Sequence, residues 1–289
     1  MDVSPGPPAQ AAAEPQPDRQ LARPDARLRF RDAGTGPAVL MIHGWTLDLD
    51  MWDPQAEALC DAFRVIRWDR RGFGLSSGRP ALAADIEDAR ALCAHCGVRS
   101  VAVLGMSQGA RVATRLAAES PELVSCLILD GPPGATLKGD TAVEEEIPIA
   151  AYRRIVRELG VEEFRKRWRT HRLIQLRSAE PRTRELLDRM LDRYGAADLR
   201  EPQAEAAPEV SPPGSIDRPV LVISGQDDLP ARVRAADILA AALPHCERAV
   251  IPGAGHLPNL DNPPLYNALL RRFLRRCSHT HSSRRVSHG

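Results

Sequence analysis

Net charge is nearly absent from this sequence. Its 39 Lys and Arg residues face 38 Asp and Glu, leaving a formal charge of +1. That balance argues against the electrostatic footprint that nucleic acid or an anionic membrane surface requires, so a small-molecule partner is expected and nucleic acid is not. Long apolar runs are missing as well. No uninterrupted stretch approaches the roughly 20 residues of a bilayer span, and no membrane-spanning segment is expected. The start lacks the basic cluster and apolar centre of a secretory signal. Residues 1–24, rich in Pro, Ala and Gln, read as a disordered leader, and residues 278–289, "SHTHSSRRVSHG", as a disordered tail with little to bury. No internal repeat of solenoid period is visible.

Zinc spacing is also lacking. Of six cysteines, Cys93 and Cys96 form a C-x-x-C, but no second ligand pair accompanies them. Leu82, Ile86, Ala89, Cys93 and Cys96 recur at helical spacing, which turns both thiols toward a core, where free cysteine behaves as a small apolar residue. Neither a metal nor a cofactor is expected, and a reducing cytoplasm is the default location. The glycines of "GTGP" (34–37) are followed by neither lysine nor a helix start, so they predict a hairpin turn and not a phosphate cradle.

What is present is an alternation. Strand-like runs include "RLRFRDAG", "AVLMI" (38–42), "RVIRW" (64–68), "SVAVLG" (100–105) and "VSCLILD" (124–130), with helical patterns between most of them. From Gly131 to about Pro213 only helical patterns occur; alternation resumes with "PVLVIS" (219–224), "ERAVI" (247–251) and a closing helix through Phe273. This order predicts an α/β fold: a mostly parallel, doubly wound sheet with a helical cap inserted after the sixth core strand. Core boundaries are expected at 25–133 and 214–277, with the cap at 134–213.

"GMSQG" is a G-x-S-x-G that chance alone produces in roughly one chain in fifteen of this length. Context is more specific: Ser107 lies where a strand hands over to a helix, the placement a nucleophile elbow requires. A serine hydroxyl needs a base to take its proton and a third group to orient that base. Asp228 in "GQDD" and His256 in "GAGHLPNLDNP" each follow a predicted strand and give the order Ser, acid, His.

Five stretches, "HGW", "DRRGFGLS", "GMSQG", "SGQDD" and "GAGHLPNLDNP", resemble the α/β-hydrolase fold superfamily in order and spacing over roughly residues 27 to 275. The closing stretch is most similar to the enol-lactonase and esterase branch, which includes 3-oxoadipate enol-lactonase and the meta-cleavage-product hydrolases. The resemblance implies a serine hydrolase acting on an ester or lactone, with Ser107 as nucleophile, His256 as base and Asp228 as acid, the fourth residue of the Gly-x-x-Asp turn. Asp227 and Asp130 are the alternatives for the acid. It further implies an oxyanion hole from the backbone N–H groups of Gln108 and Trp45, with His43 fixing the loop that carries Trp45 by hydrogen bonds. Asp69, Arg70 and Gly72 are expected to shape a loop beneath the site, and Met51 and Trp52 to pack in the core. Carbon–carbon bond hydrolysis and perhydrolysis would use the same triad, and a binding protein that retained the fold is the alternative of another class. Residues 151–200 carry fourteen Arg or Lys against eight Asp or Glu. Arg154, Arg165 and Arg169 therefore either meet an anionic substrate or face solvent.

Overall fold

The structure is a computed structural model that describes residues 17–133, 147–200 and 216–286. Residues 1–16, 134–146, 201–215 and 287–289 lie outside the described residues, and with them most of the expected leader and both ends of the expected cap. The first half of the core runs β1 (Arg19–Arg23), β2 (Ala26–Ala33), β3 (Ala38–Ile42), α1 (Asp53–Leu59), β4 (Arg64–Trp68), α2 (Leu82–His95), β5 (Val101–Met106), α3 (Gln108–Glu119) and β6 (Val124–Asp130). Then come α4 (Ile149–Leu159), α5 (Val161–Trp168), α6 (Pro181–Arg193) and α7 (Ala197–Arg200). The core resumes as β7 (Val220–Gly225), α8 (Pro230–Ala242), β8 (Cys246–Ile251), α9 (Pro258–Asp261) and α10 (Pro263–Val286).

Eight strands form one sheet in the order β1-β2-β4-β3-β5-β6-β7-β8. β2 is antiparallel to both β1 and β4, and every other pair is parallel. The central strands are apolar along their whole length because both faces are covered. In β3, Val39 and Met41 join a core with α1 and α10, while Leu40 and Ile42 join a second core with α2, α3 and α8. After β3 the chain steps outward to β4 and returns on the other side as β5. The order therefore reverses between β3 and β5, the kind of switch point at whose carboxyl ends open sheets place their ligands. The helices inserted after β6, the sixth strand, send Tyr152, Phe164, Trp168, Leu187 and Met190 into the same core as Trp45 and Leu47 of the loop after β3.

Three expectations are corrected. β1 occupies five residues assigned to the leader; Leu21 pairs with Leu28 across a turn at Pro24 and Asp25, residue types that close tight turns. "GTGP" is not a hairpin, because β4 lies between β2 and β3 and the two strands it joins are not neighbours. The closing helix does not stop near Phe273 but continues to Val286, across most of the expected tail.

Ile128 is fully buried at the centre of the sheet, so Ile128→Ala should lower unfolding free energy by about 2–5 kcal/mol in urea titrations. Ile238→Ala, at a side chain 51% exposed, should change it by less than about 0.5 kcal/mol.

Candidate active site

Ser107 sits between β5 and α3 at φ 51° and ψ −114°, a left-handed conformation that costs a non-glycine residue strain and raises its side chain above the sheet edge. Two glycines make that turn possible. A Cβ on Gly105 would collide with the Gly109 carbonyl, and a Cβ on Gly109 with the Ile42 carbonyl of the neighbouring strand. The Ser107 N–H donates to the Asp130 carbonyl at 2.8 Å, anchoring the elbow to β6. As N-cap of a twelve-residue helix, Ser107 also sits at the positive end of the helix dipole, which favours negative charge developing there.

His256 and Asp228 come from loops after β8 and β7. The backbone forces the two loops together: Gln226 N–H donates to Ile251 O at 2.9 Å, Asp227 N–H to Ala254 O at 2.8 Å, and a Cβ on Gly225 would collide with the Gly255 carbonyl. The result is a hydrogen bond of 2.8 Å between His256 Nδ1 and Asp228 Oδ2, while Asp228 Oδ1 accepts from the Leu229 N–H at 2.7 Å. Burial pushes the Asp228 carboxyl up, but His256, the Leu229 N–H and Arg232 outweigh it and hold it below the ordinary carboxylate range. The ring of His256 lies against Gly131, next to the Asp130 carbonyl that holds Ser107. No hydrogen bond joins Ser107 Oγ to His256 in this structure.

The alternative acids are engaged elsewhere. Asp130 is fully buried and accepts from the Tyr266 hydroxyl at 2.9 Å; burial pushes its carboxyl well above the usual range, and the neighbouring Asp228 charge adds to the shift. Asp227 is exposed and serves through its backbone N–H.

The N–H groups of Gln108 and Trp45 meet no acceptor among the described residues. Buried polar contacts hold the two loops that carry them. His43 Nδ1–H donates to Gly44 O at 2.8 Å and Nε2 accepts from the Arg70 N–H at 2.9 Å, a pairing that fixes the neutral tautomer; burial, then Arg70, lower its pKa well below the usual value. The Arg70 guanidinium bonds Asp85 at 3.0 Å and the Gln108 side chain at 2.5 Å, tying the elbow to α2. Asp69 accepts from the Leu49 and Leu75 N–H groups, so "DRRGFGLS" shapes loops as expected, and Met51 and Trp52 are fully buried.

Sequence reasoning missed three ties between this centre and the inserted helices. Trp45 packs against Tyr152, Phe164, Trp168 and Tyr194 at centroid distances of 4.8–6.3 Å, and its Nε1–H donates to Asp198 at 2.6 Å. Arg193 of α6 pairs with Asp48 and Asp50 in the loop after Trp45. Asp261 accepts from the N–H groups of Gly255, Arg177 and Ser178, joining the histidine loop to the insertion. An acid three residues past "HLP" was the available signal for the last; the first two join residues more than 100 positions apart and left none. Arg154 is exposed, Arg165 bonds Glu162 and the Tyr194 carbonyl, and Arg169 pairs with Asp188 and Asp192, which favours the solvent-facing reading of the basic surplus.

The profile described as "alpha/beta hydrolase fold" matches residues 37–263. A pimeloyl-[acyl-carrier protein] methyl ester esterase from Nitrosomonas europaea is 28% identical over 253 residues, covering 82% of this chain and 96% of its own length. A thermophilic esterase from Thermogutta terrifontis superposes with a TM-score of 0.73 at 30% identity, covering 91% of this chain and 99% of that one. An enol-lactonase from Burkholderia xenovorans shares the fold at TM-score 0.74 and 23% identity, covering 89% and 100%.

Burial, with Asp69 and Asp50 close by, pushes the Asp48 carboxyl up to about 7 despite Arg193. The folded protein then keeps a proton that the unfolded chain releases between roughly pH 4 and 7, so this group's contribution to stability falls as pH rises through that window. Asp48→Asn cannot ionise; its melting temperature relative to wild type should become more favourable by a few degrees between about pH 5 and pH 8 in thermal denaturation.

Proposed function

The chain belongs to the alpha/beta hydrolase fold family, and from that premise we propose that it is a cofactor-independent serine hydrolase that cleaves a carboxylic ester or lactone through an acyl-enzyme. The observation that carries this reading is the 2.8 Å bond between His256 and Asp228 at the rim where Ser107 stands on a strained strand-to-helix turn. The two relatives named as esterases support the choice of bond.

In this mechanism Ser107 Oγ attacks the acyl carbonyl as His256 Nε2 takes its proton. Asp228 holds the Nδ1–H tautomer and stabilises the imidazolium. The oxyanion accepts from the Gln108 and Trp45 N–H groups, each worth about 3 to 4 kcal/mol of barrier. His256 returns the proton to the leaving alcohol, or to the ring oxygen of a lactone, and water repeats the sequence to release the acid. The substrate is a small molecule, and the cytoplasm fits six cysteines that are all free. No helix among the described residues is long and apolar enough to cross a membrane.

A fluorophosphonate probe and a short-chain nitrophenyl ester test the proposal. Wild type should be labelled and turn over, and Ser107→Ala should do neither; ligand binding without labelling or turnover in the wild type would make the protein a receptor instead. Asp228→Asn should reduce kcat by about 10⁴, through loss of the correct histidine tautomer. A comparable loss in Asp130→Asn with activity intact in Asp228→Asn would move the acid to the other strand.

A further inference from the structure

Glycines aside, three of the described residues have φ in the left-handed region. One is Ser107 of the elbow. The other two, Thr46 at 64° and Ala196 at 56°, sit at either end of one contact between the loop after β3 and the inserted helices. Such backbone costs free energy and persists only where the surroundings fix it, and for a β-branched residue such as Thr46 it is an outlier. Both residues are buried, Thr46 next to Trp45 and Ala196 two positions before Asp198.

The two turns bring a carboxylate to an indole. Asp198 Oδ2 accepts from the Trp45 Nε1–H at 2.6 Å, and Oδ1 accepts from the Tyr194 hydroxyl at 2.6 Å. Burial and the Asp198 carboxylate push the Tyr194 phenol well above its ordinary value, so it keeps the proton that it donates. Asp198 is 6% exposed and forms no ion pair among the described residues. Burying a carboxylate without a cation costs more than burying an amide, so packing alone does not account for an acid here. In the opposite direction, Trp168 of the insertion donates its Nε1–H to the Thr46 hydroxyl at 2.8 Å. One hydrogen bond and four packed rings fix the Trp45 indole, and a side chain so held fixes the backbone from which it projects.

We propose that Asp198 is a positioning residue for the oxyanion donor at Trp45: it holds the indole, and through it the backbone N–H, where the developing oxyanion will stand. Asp198 itself touches no reacting atom. The assignment rests on the serine hydrolase reading and makes a residue of the insertion a support of the catalytic loop of the core. Misplacing such a group by about 1 Å costs on the order of 10²-fold in rate. Because the oxyanion forms only on the way to the transition state, the loss falls on kcat and not on KM.

The test compares wild type with Asp198→Ala, Asp198→Asn, Trp45→Phe and the Asp198→Ala/Trp45→Phe double variant on a short-chain nitrophenyl ester, at a temperature where thermal denaturation shows each to be folded. Asp198→Ala should lose about 10- to 100-fold in kcat with KM within about threefold of wild type. Asp198→Asn keeps an acceptor for the indole and should stay within about fivefold of wild type in kcat. Trp45→Phe keeps the backbone N–H but removes the indole donor, and its loss should match that of Asp198→Ala. The double variant should lose no more than about twofold beyond the larger single loss, as two partners of one bond do. A kcat for Asp198→Ala within about threefold of wild type, a loss confined to KM, an Asn variant as impaired as the Ala variant, or single losses that multiply in the double variant would each overturn the role of Asp198 while leaving the hydrolase reading intact. Should Asp198→Ala not fold, a Trp45→Phe kcat within about threefold of wild type overturns it alone. A wild type that hydrolyses no ester contradicts the serine hydrolase reading itself.

Discussion

The bond between Asp228 and His256 spans 28 residues and is set by backbone before either side chain enters. Gly225 lets the acid turn approach the Gly255 carbonyl more closely than any side chain would allow, and the N–H groups of Gln226 and Asp227 stitch that turn to the histidine loop. Because β7 and β8 are parallel neighbours, both loops leave the same rim. The carboxylate is then buried against a partner, which is why it stays charged where an isolated buried acid would take up a proton. Asp130, one strand away and bonded only to a hydroxyl, shows that other outcome.

A second set of contacts joins this rim to the inserted helices. The chain has twelve Phe, Trp and Tyr residues, and six of them, Trp45, Phe73, Tyr152, Phe164, Trp168 and Tyr194, contact one another between the loops after β3 and β4 and the insertion. Such pairs prefer edge-to-face and offset geometries and contribute beyond their buried area. The loop that carries the Trp45 N–H is therefore held from above by aromatic packing and from below by His43 and Arg70. Arg193 adds a charged tie to Asp50 and a hydrogen bond to Asp48.

The parallel core was legible because apolar runs such as "AVLMI" and "VSCLILD" are bounded by turns and spaced by helices. Ser107, Asp228 and His256 were legible because each closes such a unit within a short pattern. The edge hairpin was not, since "RQLAR" alternates weakly and follows a Pro-rich stretch, although Pro24 and Asp25 marked its turn. Sheet order cannot be read from run lengths, which is how "GTGP" passed for a hairpin. The ties to the insertion depend on tertiary contacts such as Trp45 with Asp198, for which local pattern supplies no cue.

The proposed reaction requires a hydroxyl, an imidazole and two backbone N–H groups to converge on one reacting carbon. A crystal structure of the protein after reaction with a phosphonate tests that convergence most directly. It should show phosphorus bonded to Ser107 Oγ, the phosphoryl oxygen accepting from the Gln108 and Trp45 N–H groups, and His256 Nε2 within hydrogen-bond reach of the adduct. An adduct on another residue, or on Ser107 with His256 turned away and the oxygen in solvent, would contradict it.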